Sequence, residues 1–95
     1  MSELLAMFKK SIGDLSVSID MDAYYNNFLT MAKAQLEAED ISSTILETEI
    51  GHFAIVLSAQ LLMNDKSIAD NPTLFLLRNL LAAKTKAERY SNDNG

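Results

Sequence analysis

The run from Ile50 to Met63 (IGHFAIVLSAQLLM) constrains this chain more than any other segment. It is apolar nearly all the way round a helix, and a helix of that kind must be covered on more than one side. Leu74, Phe75, Leu76 and Leu77 repeat the problem over most of a turn. A chain of 95 residues has a high surface-to-volume ratio and buries only roughly 60–65% of its unfolded surface. Two outcomes satisfy these facts. Either the third helix sits centrally in a small bundle and is covered by its own chain, or apolar surface is left over for a copy or partner, as large exposed patches usually signal.

The remaining composition narrows the class. Three glycines and one proline leave little punctuation for a many-turned β structure. With no cysteine, a disulfide scaffold, a thiolate zinc site and a cysteine nucleophile are all excluded. A single histidine excludes any site that needs two imidazoles. The expectation is one all-α domain over residues 1–95, a small bundle of three main helices plus a short N-terminal helix.

Periodicity and caps place the segments. Leu4, Phe8 and Ile12 form a stripe in a first helix over 1–12, with Gly13 as its stop and Lys9 and Lys10 in the last turn. Residues 13–19 alternate Leu15, Val17 and Ile19 with Asp14, Ser16 and Ser18. That period fits a short strand or an extended linker. Because no second strand is evident, the linker is the expectation, its apolar residues tucked under the helices.

The helical core is expected over 20–89. Asp20 or Asp22 is the candidate N-cap of the second helix, which runs to about Glu39 with Tyr25, Leu29, Ala32 and Leu36 on one face. Thr44 followed by Glu47 reads as a capping box for a third helix reaching about Asn64. Asn71-Pro72 opens the fourth, which is expected to end near Glu88, before a polar tail over 90–95.

The formal charge is −5, so the chain has no electrostatic reason to seek phosphate backbones or anionic membranes. Glu37, Glu39, Asp40, Glu47 and Glu49 cluster around the joint between the second and third helices, whereas Arg78, Lys84, Lys86 and Arg89 make the last helix basic. Each charge alone is a solvated surface residue; the asymmetry as a whole suits head-to-tail contact between copies. The opening residues lack the basic and apolar regions of a secretory signal, and Phe53 to Met63 falls short of the about 20 residues that span a bilayer. A soluble intracellular chain is expected.

Chemistry-bearing motifs are sparse. His52 has one same-face carboxylate neighbour, Glu49, which does not make a metal site, so it reads as a packing histidine. Ser42, Ser43 and Thr44 are accounted for by capping. Asp20 and Asp22 lack the spacing of a calcium loop, and the glycines are too scattered for a phosphate cradle. Methionines 7, 21, 31 and 63 read as core filler. No catalytic residue, cofactor or metal is expected, and enzyme is the least supported class.

Three stretches carry a resemblance. Leu5-Ala6-Met7-Phe8-Lys9-Lys10-Ser11-Ile12-Gly13 is similar to an opening Phe-Lys-x-x-Leu-Gly helix. Asp22 to Glu37 (DAYYNNFLTMAKAQLE) is similar to a leading acid followed by Leu-x-x-Ala-Lys-x-x-Leu/Ile-Glu. Asn71-Pro72-Thr73-Leu74 with Arg78-Asn79 resembles a Pro-x-x-Leu opening of the last helix. Together they resemble the head–tail connector (adaptor, head-completion) proteins of tailed bacteriophages and prophages. The aromatic and basic run that members often carry in the third helix is missing from Leu57 to Met63.

The resemblance implies a structural protein, a homo-oligomeric ring of about a dozen subunits at the head–tail junction of the virion, assembled in the host cytoplasm. It would join the portal to a stopper or tail protein and extend the DNA channel, with DNA only passing through and no membrane involved. Phe8, Lys9, Lys10, Arg89 and Tyr90 are its candidate portal contacts. The alternative is an acidic helical inhibitor of the bacteriocin-immunity or antitoxin kind. In that case Glu37, Glu39, Asp40, Glu47 and Glu49 would face a basic protein partner.

Overall fold

A computed structural model describes residues 3–94. Met1, Ser2 and Gly95, where the expected first helix begins and the expected tail ends, lie outside the described residues. The elements are α1 (Glu3–Ile12), α2 (Ile19–Ala38), α3 (Ser43–Leu46), α4 (Glu49–Met63), a 3-10 turn (Ile68–Asp70) and α5 (Pro72–Asn94). Among the described residues there is no strand, so the protein is an all-α bundle.

α4 is the hub, packing against α1, α2, α3 and α5. Ala54, Ile55, Val56, Ser58 and Ala59 are buried. Leu57, Leu61, Leu62 and Met63 are half-buried against the same core. The small side chains at 54, 58 and 59 let neighbouring backbones come close, and the large ones fill the gaps between them. The helix that is apolar all round is thus covered mostly by its own chain. α2 contributes the face read from its spacing, Tyr25, Leu29, Ala32 and Leu36, all buried. α1 docks through Leu5 and Phe8, with Phe8 stacked at a tilt 5.2 Å from the Tyr25 ring. Ten residues are too few to hold a helix in water unaided, so this docking is what keeps α1 folded. Two methionines depart from their expected role as core filler: Met21 and Met31 lie on the outer side of α2, exposed.

Helix boundaries follow hydrogen-bond chemistry more closely than propensity. Ser18, and not Asp20 or Asp22, caps α2, its hydroxyl accepting from the Met21 N–H at 3.3 Å. The expected continuous third helix is broken. Ser42 caps the single turn α3 by accepting from the Ile45 N–H, and Thr48 caps α4 by accepting from the Gly51 N–H. Between them Glu47 and Thr48 redirect the chain, so the Thr44–Glu47 capping box does not form. Gly51 makes the redirection possible: a Cβ there would lie 2.6 Å from Leu46 Cα and 2.7 Å from Leu46 C, against backbone that cannot swing aside.

Three helices end in the same way, with one residue in the left-handed region and two closing backbone bonds, a Schellman ending. Gly13 (φ 77°) ends α1 as expected, but Asp40 (φ 69°) and Asp65 (φ 54°) end α2 and α4 where glycine is the usual occupant. The closing bonds are Ile41 N–H to Leu36 C=O at 3.2 Å and Lys66 N–H to Leu61 C=O at 2.8 Å. Aspartate tolerates this conformation better than most side chains but not freely.

α5 opens as read, Asn71 Oδ1 accepting from the Leu74 N–H at 3.0 Å. It does not stop near Glu88, however. The residues expected as a polar tail continue the helix to Asn94. Leu74, Leu81 and Thr85 anchor it, and Thr85 Oγ1, 1% exposed, accepts from the Ser42 N–H at 3.1 Å. The radius of gyration is 14.1 Å, against about 12 Å for a compact chain of this length. Its surface is 6070 Å², against about 5,400 Å² for a typical monomer of this mass.

Candidate functional site

Ile19, expected in the linker, is instead the first residue of α2, and residues 13–18 form an arm between α1 and α2 that pairs with no strand among the described residues. Its apolar residues are not tucked under the helices. Leu15, Val17 and Ile19 are 85%, 96% and 87% exposed.

The cause lies in the alternate residues. Asp14 Oδ1 accepts from the Ser16 N–H at 2.9 Å and from the Ser16 hydroxyl at 2.6 Å. The Tyr25 phenol donates to Asp14 Oδ2 at 2.5 Å, joining the arm to α2. Lys9 Nζ donates to the Ser16 carbonyl and to Asp22 Oδ1, both at 2.8 Å. Ser18 is spent on the α2 cap. In an extended chain successive side chains point to opposite sides. Asp14, Ser16 and Ser18 are engaged in bonds within the arm, to Tyr25 and at the α2 cap, whereas Leu15 and Val17 at the alternate positions, and Ile19 at the first position of α2, are left in water. Burying each of these aliphatic side chains would stabilise by about 1.5–3 kcal/mol, yet the fold holds them in water with a dedicated polar network.

That network shifts two ionisations. Hydrogen bonds from Ser16, first, and from Tyr25 hold the Asp14 carboxyl at about 2, below its ordinary 3.8. The same contact raises the Tyr25 phenol, because a hydroxyl donating to a carboxylate is reluctant to lose its proton.

Within the chain, Arg78 and Arg89 of α5 fold back on the acidic joint, and Lys33 of α2 stands beside it. Arg89 grips Asp40 with two bonds of 2.8 and 2.9 Å, Arg78 pairs with Glu39, and Lys33 stands 3.5 Å from Glu47. The Arg89 fork holds the Asp40 carboxyl below its usual value. Asp40 and Arg89 remain half or more exposed, so water and salt screen their pair. Of the other candidate acids, Glu37 and Glu49 are exposed.

The candidate portal contacts are also redistributed. Phe8 is 0% exposed and belongs to the core, and Lys9 is occupied by Asp22 and Ser16; neither is presented to a partner. Both instead hold the base of the arm. Lys10 and Tyr90 lie on the surface.

His52 is brought against two carboxylates that spacing along its own helix does not reveal. Its Nδ1 is 4.0 Å from Glu3 Oε2, and its Nε2 is 3.8 Å from Glu47 Oε2. These separations are too long for hydrogen bonds and suit ion pairs only when the ring is protonated. Among the described residues no group of three or more His, Cys, Asp or Glu side chains converges to hold a metal ion, and no helix is long and apolar enough to cross a membrane. The main site that the structure adds is thus an apolar one, whose signal in the sequence is the two-residue alternation of 14–19. No protein-family model, curated protein or solved structure matches this chain.

Proposed function

We propose that this chain is a structural subunit that assembles with its own copies into a ring at the head–tail junction of a tailed bacteriophage or prophage. In that role it joins the portal to a stopper or tail protein and lengthens the DNA channel. One observation carries the assembly half of this reading: the polar network that keeps Leu15, Val17 and Ile19 in water. Neighbouring exposed aliphatic side chains form an apolar patch of the kind that a partner buries. The junction half rests on the Phe-Lys, Ala-Lys and Pro-x-x-Leu patterns of the sequence.

The net charge of −5 fits a channel that DNA must slide through, since an acidic wall releases phosphates where a basic wall would hold them. The alternative of an acidic inhibitor is weakened. Glu39, Asp40 and Glu47, which would form most of its binding face, already have cations of their own chain beside them.

The test is direct imaging of the purified protein by electron microscopy, alone and mixed with portal rings. Closed rings stacked coaxially on the portal are expected. A particle that stays a monomer in both preparations overturns the proposal.

A further inference from the structure

We propose that the cavity between the C-terminal halves of α2 and α4 and the first turns of α5 binds a small monocarboxylate with an apolar body and a hydroxyl or carbonyl at its far end. The site lies within one chain and does not depend on the assembly reading above.

The cavity has a volume of about 310 Å³. That is the lower end of the range for small-molecule sites and room for about ten waters. The buried Leu36 and Leu74 and the half-buried Leu61 and Leu62 give it apolar walls. Ser58 shares this lining and is 6% exposed. Among the described residues every fully buried side-chain nitrogen or oxygen has a hydrogen-bond partner, and the Ser58 hydroxyl has none. Its oxygen is therefore not sealed into the core but reaches the cavity that the residue lines. A hydroxyl in apolar surroundings costs stability unless it is bonded, and here the bond has to come from whatever fills the cavity.

The charge of the lining is opposite to that of the chain. Lys66 and Arg78 are positive and Glu39 is negative, which leaves one net positive charge in a chain of −5. Arg78 is paired with Glu39, whereas Lys66 forms no ion pair among the described residues. Asp65 and Asp70, before and after Lys66 in the sequence, do not line the cavity. The left-handed Asp65 turns the chain back so that the Lys66 N–H meets the Leu61 carbonyl at 2.8 Å. Leu61 is three residues beyond Ser58, so Lys66 stands about one turn along α4 from that hydroxyl.

These features define the ligand. One carboxylate answers the one uncompensated cation, whereas a phosphate, at nearly two negative charges, exceeds it. An apolar body covers the leucines. A hydroxyl or carbonyl at the far end completes Ser58, which can donate or accept.

The probe is 4-hydroxybenzoate, titrated into the protein while amide shifts are followed by two-dimensional NMR. Saturable shifts are expected at Gln35, Ser58, Leu61, Lys66 and Arg78, with a dissociation constant of about 1 mM or lower. Ser58→Ala and Lys66→Met are each expected to weaken binding about three- to tenfold. 4-Methylbenzoate, which lacks the hydroxyl, should bind the parent about as weakly as 4-hydroxybenzoate binds Ser58→Ala, and Ser58→Ala should not weaken it further. The neutral 4-hydroxybenzamide should bind the parent and Lys66→Met alike. No saturation below about 10 mM, shifts centred away from the cavity, or an affinity that neither substitution changes overturns the proposal, and the cavity then holds water alone.

Discussion

Gly51→Ala separates geometry from propensity, because the two predict opposite signs. Alanine is a better helix former than glycine by about 0.8–1 kcal/mol, so propensity alone makes the variant more stable. The structure says otherwise. The new methyl would stand 2.6 and 2.7 Å from Leu46 Cα and C, and inside contact distance of the Ile45 carbonyl oxygen. All three obstacles are backbone, so no side-chain rotation relieves the clash. α3 must move off α4, loosening Leu46, which is 1% exposed, and Ile45 beside it. Overpacking of this kind costs about 1–3 kcal/mol. After the propensity gain the net change runs from about zero to a loss of about 2 kcal/mol. In a chain of this size each kcal/mol moves the melting temperature by about 4–8 °C. Urea unfolding followed by circular dichroism, with an unchanged slope, measures the difference. A gain of about 0.8–1 kcal/mol in the variant, the full propensity effect with no clash, refutes the close approach of α3 to α4.

Three further outcomes are expected. Phe8→Ala should cost about 3–5 kcal/mol and release α1 with the arm, seen as fast amide exchange over 3–18; a surface-like effect under about 0.5 kcal/mol contradicts the burial of this ring. Asp65→Gly should stabilise by up to about 1 kcal/mol, because the left-handed position favours glycine and Asp65 forms no ion pair among the described residues; a loss of stability contradicts the ending assigned to α4. Finally, the Asp14 carboxyl is depressed to about 2 from 3.8, so the stability that it contributes is fully present above pH 3.8 and is lost as pH falls through about 2. Carboxyl chemical shifts should show that midpoint, and the arm's order, read from amide relaxation, should fall in the same window. A midpoint for Asp14 at its ordinary value contradicts the Ser16 and Tyr25 bonds.

Much of the architecture was legible in the sequence, because it rests on local signals. The face Tyr25, Leu29, Ala32, Leu36 follows from spacing, the Asn71-Pro72 opening from capping chemistry, and the Gly13 stop from backbone freedom. The break at Glu47–Thr48 was not legible, since both sides of it are helical and carry the same apolar period. Its available signal was the pair of competing caps, Ser42 and Thr48, each three residues before the N–H that it accepts from. The Asp40 and Asp65 endings were hidden because helix stops are sought at glycine. For the arm, alternation indicates an extended chain but not which side faces out; that depends on Lys9 and Tyr25, which come from separate helices. The charge asymmetry was real in the sequence, but only the tertiary fold shows that α5 returns to the acidic joint and pairs within the chain.

The central claim is that an outward-held aliphatic arm makes this chain assemble with itself. Its most direct measurement is the mass of the purified protein by light scattering across a concentration series, for the parent and for a chain with Leu15, Val17 and Ile19 all changed to serine. The parent is expected to rise from 10.5 kDa to a closed multiple of it, and the triple variant to remain at the mass of one chain with its helicity intact. A parent that keeps a single-chain mass throughout, or a triple variant that assembles equally well, contradicts the claim.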